Sequence, residues 1–305
     1  MGTDSGRRPH GDGARSGDPR ETSRQGTEAR QKMIERVRGL LRMAEDPSVT
    51  DAESQAFTAK AAELMTRHAI AEAEARAQRG EAAESVTRLD FPVSGVGGHG
   101  KARVKALAAI ASAYGCQSAV RGNTSANTDR MLIIVGTVTA LDSLRVLLPS
   151  ITMQMEASAR FSAREHVAGL RELRNYDRST LATERSRFYR SFVRAYGYAV
   201  AERIREFRAR LADDSPDGDA AGAKGGAGGT GSDAAKSGAE LVLREDVDRV
   251  QEDFQRRFPQ LRPTRPERTH HRAGYRAGYL RGRRAELGME TAVGRGASSS
   301  ISDGE

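Results

Sequence analysis

An α+β fold is what the sequence predicts: a helical hairpin followed by a small three- to four-stranded sheet covered by helices, with disordered termini and a Gly-rich linker. Three observations carry the prediction. Between Gln31 and Ile70 apolar residues recur every three or four positions on both sides of a proline break, which is the spacing of one helix face. Between Val86 and Val135 short runs alternate or stay apolar over strand lengths and are parted by glycine. Beyond Ile151 helical spacing dominates, interrupted by the Gly/Asp-rich stretch from Asp213 to Gly238.

In the first arm of the hairpin Ile34, Val37, Leu41 and Ala44 share a face, widened by Leu40, while Glu35, Arg36, Arg38 and Arg42 fall mostly opposite. Asp46-Pro47-Ser48 breaks the pattern, because the residue before proline is pushed out of the helical region. Thr50 to Glu53 has the order of a capping box. The second arm has a thin face of Ala52, Ala56, Ala59 and Leu64, with Phe57 and Met65 at its margins, and runs to about Arg79, with Gly80 as its stop. Val86 to Phe91 alternates like a half-buried strand. Pro92 to Gly100 is a glycine-rich turn, Lys101 to Tyr114 a helix ended by Gly115, Cys116 to Arg121 a strand, and Gly122 to Thr128 a polar loop. Arg130 to Val135 reads RMLIIV, and a continuous apolar run suits a central strand. Thr139 to Leu148 is a helix that Pro149 kinks or ends. Ile151 to about Leu211 is one long helical region in which Phe188, Phe192, Tyr196, Val200 and Ile204 fall at steps of four. After the linker, Leu241-Val242-Leu243 is an edge strand, Arg244 to Phe258 an amphipathic helix with Val247, Val250 and Phe254 on one face, and Thr269 to Leu287 a basic helix. The chain thus divides into a disordered flank (1–28), the hairpin (29–80), an α/β segment with a long basic helix (84–211), a flexible linker (212–238), a C-terminal strand with two helices (239–287) and a disordered tail (288–305), the irregular parts by composition.

The hairpin pattern I-x-x-V-x-x-L-L-x-M-A-E, then T-x-x-E-x-x-A-x-x-A-K-A-x-E-L-M-x-x-H-x-I, resembles a bacterial and phage family known as domain of unknown function 2786. The matching residues are Ile34, Val37, Leu40, Leu41, Ala44, Thr50, Glu53, Ala56, Lys60, Ala61, Glu63, Leu64, Met65 and Ile70. His68 stands where the family often has Tyr, and Ala62 where it often has Gln. The α-β-β-α order downstream and the segment FYRSFVRAYGYAVAERI are similar to the domain that commonly follows in such proteins. The resemblance implies architecture and brings no activity with it.

Apolar residues are 37% of the chain and aromatic ones 5%, with no tryptophan, so only about 200 residues are expected to be ordered. The 49 basic residues exceed the 41 acidic by eight, and lysine occurs only at 32, 60, 101, 105, 224 and 236. The positive charge is therefore arginine, for which the coding bias of a high-GC genome is a sufficient bland origin. A single cysteine, Cys116, excludes an internal disulfide and a thiolate zinc site. No apolar run is long enough to cross a membrane and no apolar signal core opens the chain, so a cytoplasmic protein without membrane attachment is expected.

Gly95 to Lys101 (GVGGHGK) fits G-x-x-x-x-G-K between a strand and a helix. Backbone amides at Gly97, Gly98 and Gly100 with the Lys101 ammonium form a candidate anion site at the positive end of the following helix. Ala102 stands where magnesium binding needs Ser or Thr, and the strand ending at Gly136 carries no terminal Asp, so nucleotide hydrolysis is not expected. The histidines are His10, His68, His99, His166, His270 and His271. They show no metal-ligand spacing, Arg268 and Arg272 flank the last pair, and no metal or cofactor is expected. No nucleophile elbow or carboxylate pair stands out, and Cys116 reads as a buried thiol; the protein is expected not to be an enzyme.

Two basic segments remain. Arg160 to Leu211 holds 13 arginines against 6 acidic residues, and Arg262 to Arg284 holds 8 against a single glutamate. The second reads RAGYRAGYLRGRR. Arginine forks bind phosphate oxygens and tyrosine rings stack on bases, which nominates Arg272, Tyr275, Arg276, Tyr279, Arg281, Arg283 and Arg284 for contact with DNA or RNA. Gly274, Gly278 and Gly282 form a flat stripe suited to another helix or to a phosphate backbone. The expectation is a non-enzymatic accessory protein that binds nucleic acid through arginine-rich helices. The alternatives are a protein-interaction or self-associating module built on the hairpin, and, more remotely, a phosphate-ester enzyme using Lys101. A solvated basic helix packing its Tyr face on the core needs none of these.

Overall fold

The computed structural model describes residues 19–46, 48–49, 51–79, 83–95, 97–122, 130–173, 176–213, 230–261 and 271–284. Helix α1 (Pro19–Glu45) and helix α2 (Asp51–Arg79) form the expected hairpin. α1 starts inside the flank expected to be disordered; proline suits a first helical position because its missing N–H has no partner to lose there. Residues 1–18 and the capping Thr50 lie outside the described residues. Val37, Leu41 and Ala44 are buried as their spacing requires. Among the described side chains of α2 the buried apolar ones are Ala61, Ala62, Met65 and Ala73, whereas Ala56 and Leu64 are only partly covered. Alanine is spread over several faces of α2, so periodicity does not say which side meets the core. At the break, the Ser48 amide donates to Asp46 Oδ1 at 2.8 Å, an Asx turn.

The sheet has three antiparallel strands, β1 (Val86–Val93), β2 (Gln117–Arg121) and β3 (Arg130–Thr137), in the order β1-β3-β2. RMLIIV is therefore central, pairing Leu89 with Ile134 on one side and Ser118 with Ile134 on the other. Helices α3 (Gly97–Ala113), α4 (Val138–Leu173) and α5 (Arg178–Asp213) build the main core on one sheet face, where Leu132 and Ile134 point. Ile133 and Val135 point the other way, to Val250 and Phe254 of α6 (Thr230–Arg257). Burial on both faces explains why the central strand carries apolar residues at successive positions.

Helix α6 corrects two expectations. Leu241 to Leu243 is helical rather than an edge strand, and the last nine residues of the expected linker, from Thr230, belong to the same helix. Three apolar residues are too few to set a period; what decides is Asp246, whose buried carboxylate accepts from Arg76 Nη2 of α2 at 2.9 Å. Residues 214–229 lie outside the described residues.

The glycine-rich turn is also shorter than its composition implied. β1 continues through Pro92 and Val93, and α3 starts at Gly97, so Gly97, Gly98 and Gly100 are helical rather than looped and join Lys101 in the expected helix. α3 ends as expected, with Gly115 at φ +80°. The Cys116 amide donates to Ala111 O at 3.2 Å and the Gly115 amide to Ser112 O at 3.0 Å, a Schellman pair.

α4 runs through Pro149, because Leu144, Leu147, Leu148, Ile151 and Met155 form a continuous buried face across it. The long helical region expected from Ile151 is two helices, not one. Asp177 caps the second: the Thr180 amide donates to Oδ1 at 3.2 Å and the Ser179 hydroxyl to Oδ2. The hydrogen bonds from Ser179 and Thr180 hold the Asp177 carboxyl down at about 2. A carboxyl depressed on folding stabilises above its unfolded value, and the contribution fades as pH falls through the folded one. Wild type and Asp177→Ala are expected to differ in melting temperature at neutral pH and to converge between about pH 4 and pH 2. A gap of unchanged size at the acid end would remove the carboxylate charge from the explanation.

α5 is the central helix. Phe188, Phe192, Tyr196, Val200 and Ile204 are all buried, and α3, α4 and the last helix, α7 (Arg272–Arg284), pack around it.

Candidate functional site

Helix α7 lies along α5 on its glycine stripe. A methyl group at Gly274 would sit 2.5 Å from Phe188 O, one at Gly282 would sit 2.7 Å from Tyr196 O, and one at Gly278 would overlap Phe192 O. Each step of four on α7 matches a step of four on α5 in the same direction, so the two helices run parallel with their backbones in contact. Of the two uses open to the stripe, helix packing is the one it serves.

This packing sorts the nominated residues. The Tyr279 hydroxyl donates to Glu202 Oε2 at 2.6 Å, and Arg283 Nη1 donates to Glu206 at 2.7 and 2.8 Å. Both partners are on α5, so these two side chains reinforce the seam. Arg281 borders the groove between α1 and α4, and the Arg284 side chain lies outside the described residues. Arg272, Tyr275 and Arg276 are exposed on the outward side. The Tyr275 and Tyr279 rings lie nearly parallel, 10° apart in plane with centroids separated by 6.4 Å. Together with Ala273 and Leu280 these residues line a shallow groove of about 760 Å³.

At its N-terminus α7 meets α4 and α5, which carry the other basic segment. His166 of α4, Glu184 of α5 and His271 place their ligand-type atoms within 4.8 Å of one another. The Gly274 amide donates to His271 Nδ1 at 2.9 Å, so Nε2 keeps the ring proton of the neutral form and donates to Glu184 Oε2 at 3.2 Å. His271 thereby caps α7 and ties it to α5. His166 stacks on Phe188, and burial, then His271, holds it below its usual pKa. A metal at His271 Nε2 would have to displace that proton and disturb the cap. The three residues are over a hundred positions apart at the extremes, which is why no spacing in the sequence announces them.

The N-terminal turn of α3 gathers a second set. Arg103 forks onto Glu156, with Nη2 to Oε2 at 2.7 Å, and its Nη1 donates to Ser94 O at 2.6 Å. The Tyr189 hydroxyl also donates to Glu156. Arg130 Nη1 donates to Gly95 O at 2.9 Å. Arg190 lies against Gly98, where a methyl group would come within 2.6 Å of its Nη1. His99 touches Ser186 Oγ at 3.2 Å, and burial, then Arg190 and Arg103, holds it below its usual pKa. Lys101 is half-buried on the next turn and Ala102 is buried. Arg130 and Arg190 were not among the sequence candidates. The signal for Arg130 was its parity with Leu132 and Ile134, which marks an arginine on the inner face of the central strand.

Among the described residues no helix is long and apolar enough to cross a membrane. No curated protein and no solved structure matches the chain. Residues 32–72, the body of the α1–α2 hairpin, match the model of a family described as protein of unknown function (DUF2786).

Proposed function

We propose that this protein is a non-enzymatic accessory protein that binds nucleic acid on the surface where α4, α5 and α7 meet. One observation carries the reading. The two basic segments, separate in sequence, converge at the His166–Glu184–His271 contact, and Arg164, Arg171, Arg185, Arg187, Arg272 and Arg276 are exposed on the three helices that make it. Exposed guanidinium groups from several elements are suited to a phosphate backbone, and Tyr275 offers a ring face beside them.

The double variant Arg272→Glu/Arg276→Glu leaves the glycine seam and the Glu202 and Glu206 bonds untouched. It is expected to weaken binding to single- and double-stranded DNA or RNA at least tenfold, with the slope of log affinity against log salt falling by about two. Wild-type binding that is absent even at low salt rejects the proposal and returns attention to a protein partner. The hairpin alternative would then use the face of Ala56 and Leu64, which are only partly covered, and not the neighbouring Ala61 and Ala62, which are buried inside the molecule.

A further inference from the structure

Arg130 is 2% exposed. Its Nη1 is held by Gly95 O, while Nε and Nη2 are buried without a hydrogen-bond partner. Among the described residues no carboxylate pairs with it. A guanidinium taken out of water with two donors unmet is strongly unfavourable, and native proteins resolve such a group with a counter-charge. Glu156, the carboxylate that Arg103 of the same helix bonds, is already shared by Arg103, Tyr189 and Arg160.

The surroundings are shaped for an anion. Gly95 and Gly97 take positive φ, +102° and +58°, and so turn the chain from β1 directly into α3. A side chain at Gly100 would overlap Gly95 O and Arg130 Nη1, so glycine is what lets the guanidinium lie against the first turn of the helix. The amides of that turn have no acceptor within the helix, and its 17 residues direct a positive dipole end here. Arg190 covers Gly98, and the exposed Ser94 and Gly97 border the place on the solvent side.

We propose that the N-terminal turn of α3 and the buried Arg130 form a binding site for a phosphate-type oxyanion, with Arg190 at its rim. The Nε–Nη2 edge of Arg130 is the fork that meets two oxygens of one phosphate group, and the first-turn amides of Gly97, Gly98 and His99 supply further donors. A doubly charged group offsets the surplus that Glu156 leaves. Arg130 takes the part the sequence motif assigned to Lys101. The phosphate site at α3 does not rest on the reading of the α7 surface. The phosphate belongs either to a small free anion or to a nucleic-acid backbone.

The test is calorimetric titration of the full chain with inorganic phosphate in a low-chloride buffer, comparing wild type, Arg130→Gln and Arg190→Gln. Wild type is expected to take up one phosphate in the millimolar range or tighter. Arg130→Gln is expected to weaken uptake at least tenfold, and Arg190→Gln severalfold, with circular dichroism confirming the fold. Should Arg130→Gln fail to fold, Arg190→Gln decides. A short oligonucleotide is then titrated into the phosphate-loaded protein. Displacement of phosphate, with oligonucleotide affinity also reduced in the variants, identifies a backbone phosphate; undisturbed oligonucleotide behaviour identifies a free anion. Either result supports the site. No uptake by wild type at millimolar phosphate, or equal uptake by wild type and the folded variants, overturns it, whatever Arg272→Glu/Arg276→Glu does to nucleic-acid binding.

Discussion

Gly278→Ala is expected to lower the melting temperature by roughly 10 °C, while the same change at Gly169 raises it slightly. Both glycines are inside helices, and alanine at an unobstructed helical site gains about 0.5–1 kcal/mol by restricting the unfolded chain. Around Gly169 nothing lies within 4 Å of the added methyl, so that gain is realised. At Gly278 the methyl meets Phe192 O inside contact distance and Phe192 C and Cα at 2.7 Å. These are backbone atoms of the central helix and have no rotamer to change. α7 must lift away from α5, which strains the neighbouring contacts at Gly274 and Gly282. Overpacking of this kind costs about 3 kcal/mol, which in a folded unit of some two hundred residues is the stated shift. Thermal and urea unfolding of the two variants side by side measures it. Equal responses at the two positions would mean that α7 does not pack on α5 through its glycines.

Glu156→Ala is expected to destabilise by about 3 kcal/mol, far more than the loss of a surface ion pair. The Arg103 and Glu156 side chains are 9% and 14% exposed. Removing the carboxylate leaves the buried Arg103 cation without its counter-charge and the Tyr189 hydroxyl without its acceptor, whereas removing both charges leaves no buried cation and only the Tyr189 hydroxyl without its partners. The change Arg103→Met/Glu156→Leu made together with Tyr189→Phe, which removes the hydroxyl bonded to both, should recover most of the loss, since a buried ion pair replaced by apolar groups of similar volume is often neutral. Urea midpoints for the three proteins test this. A cost below about 1 kcal/mol for Glu156→Ala would show that water reaches the pair freely.

Much of the fold was legible because its local periods are strong. The hairpin, the central strand and the apolar row from Phe188 to Ile204 each bury one regular set of side chains, and a period of two or 3.6 states the element directly. The errors fall where a local pattern is weak or a distant residue decides. Leu241 to Leu243 was too short to read, and Arg76, about 170 positions earlier, holds that helix in place through Asp246. The cap at Asp177 was present in the order Asp177-Arg178-Ser179-Thr180, but helical spacing on both sides masked it. Pro149 was overruled by the buried Leu144, Leu147 and Leu148 before it and Ile151 and Met155 after it.

By itself the sequence determined the types of most elements, though not of Leu241 to Leu243, together with the central place of RMLIIV, the helix stop at Gly115 and a surplus of arginine. Each of these follows from the local conformational preference or the charge of residues close together in the chain. Only the tertiary structure decided what the arginines do. It set Arg283 on Glu206, forked Arg103 onto Glu156, buried Arg130 under the first turn of α3, and left Arg272 and Arg276 facing outward. An arginine is the same cation at every position in a sequence. Whether it is paired, buried or exposed depends on which distant carboxylate, helix end or solvent face the fold places beside it.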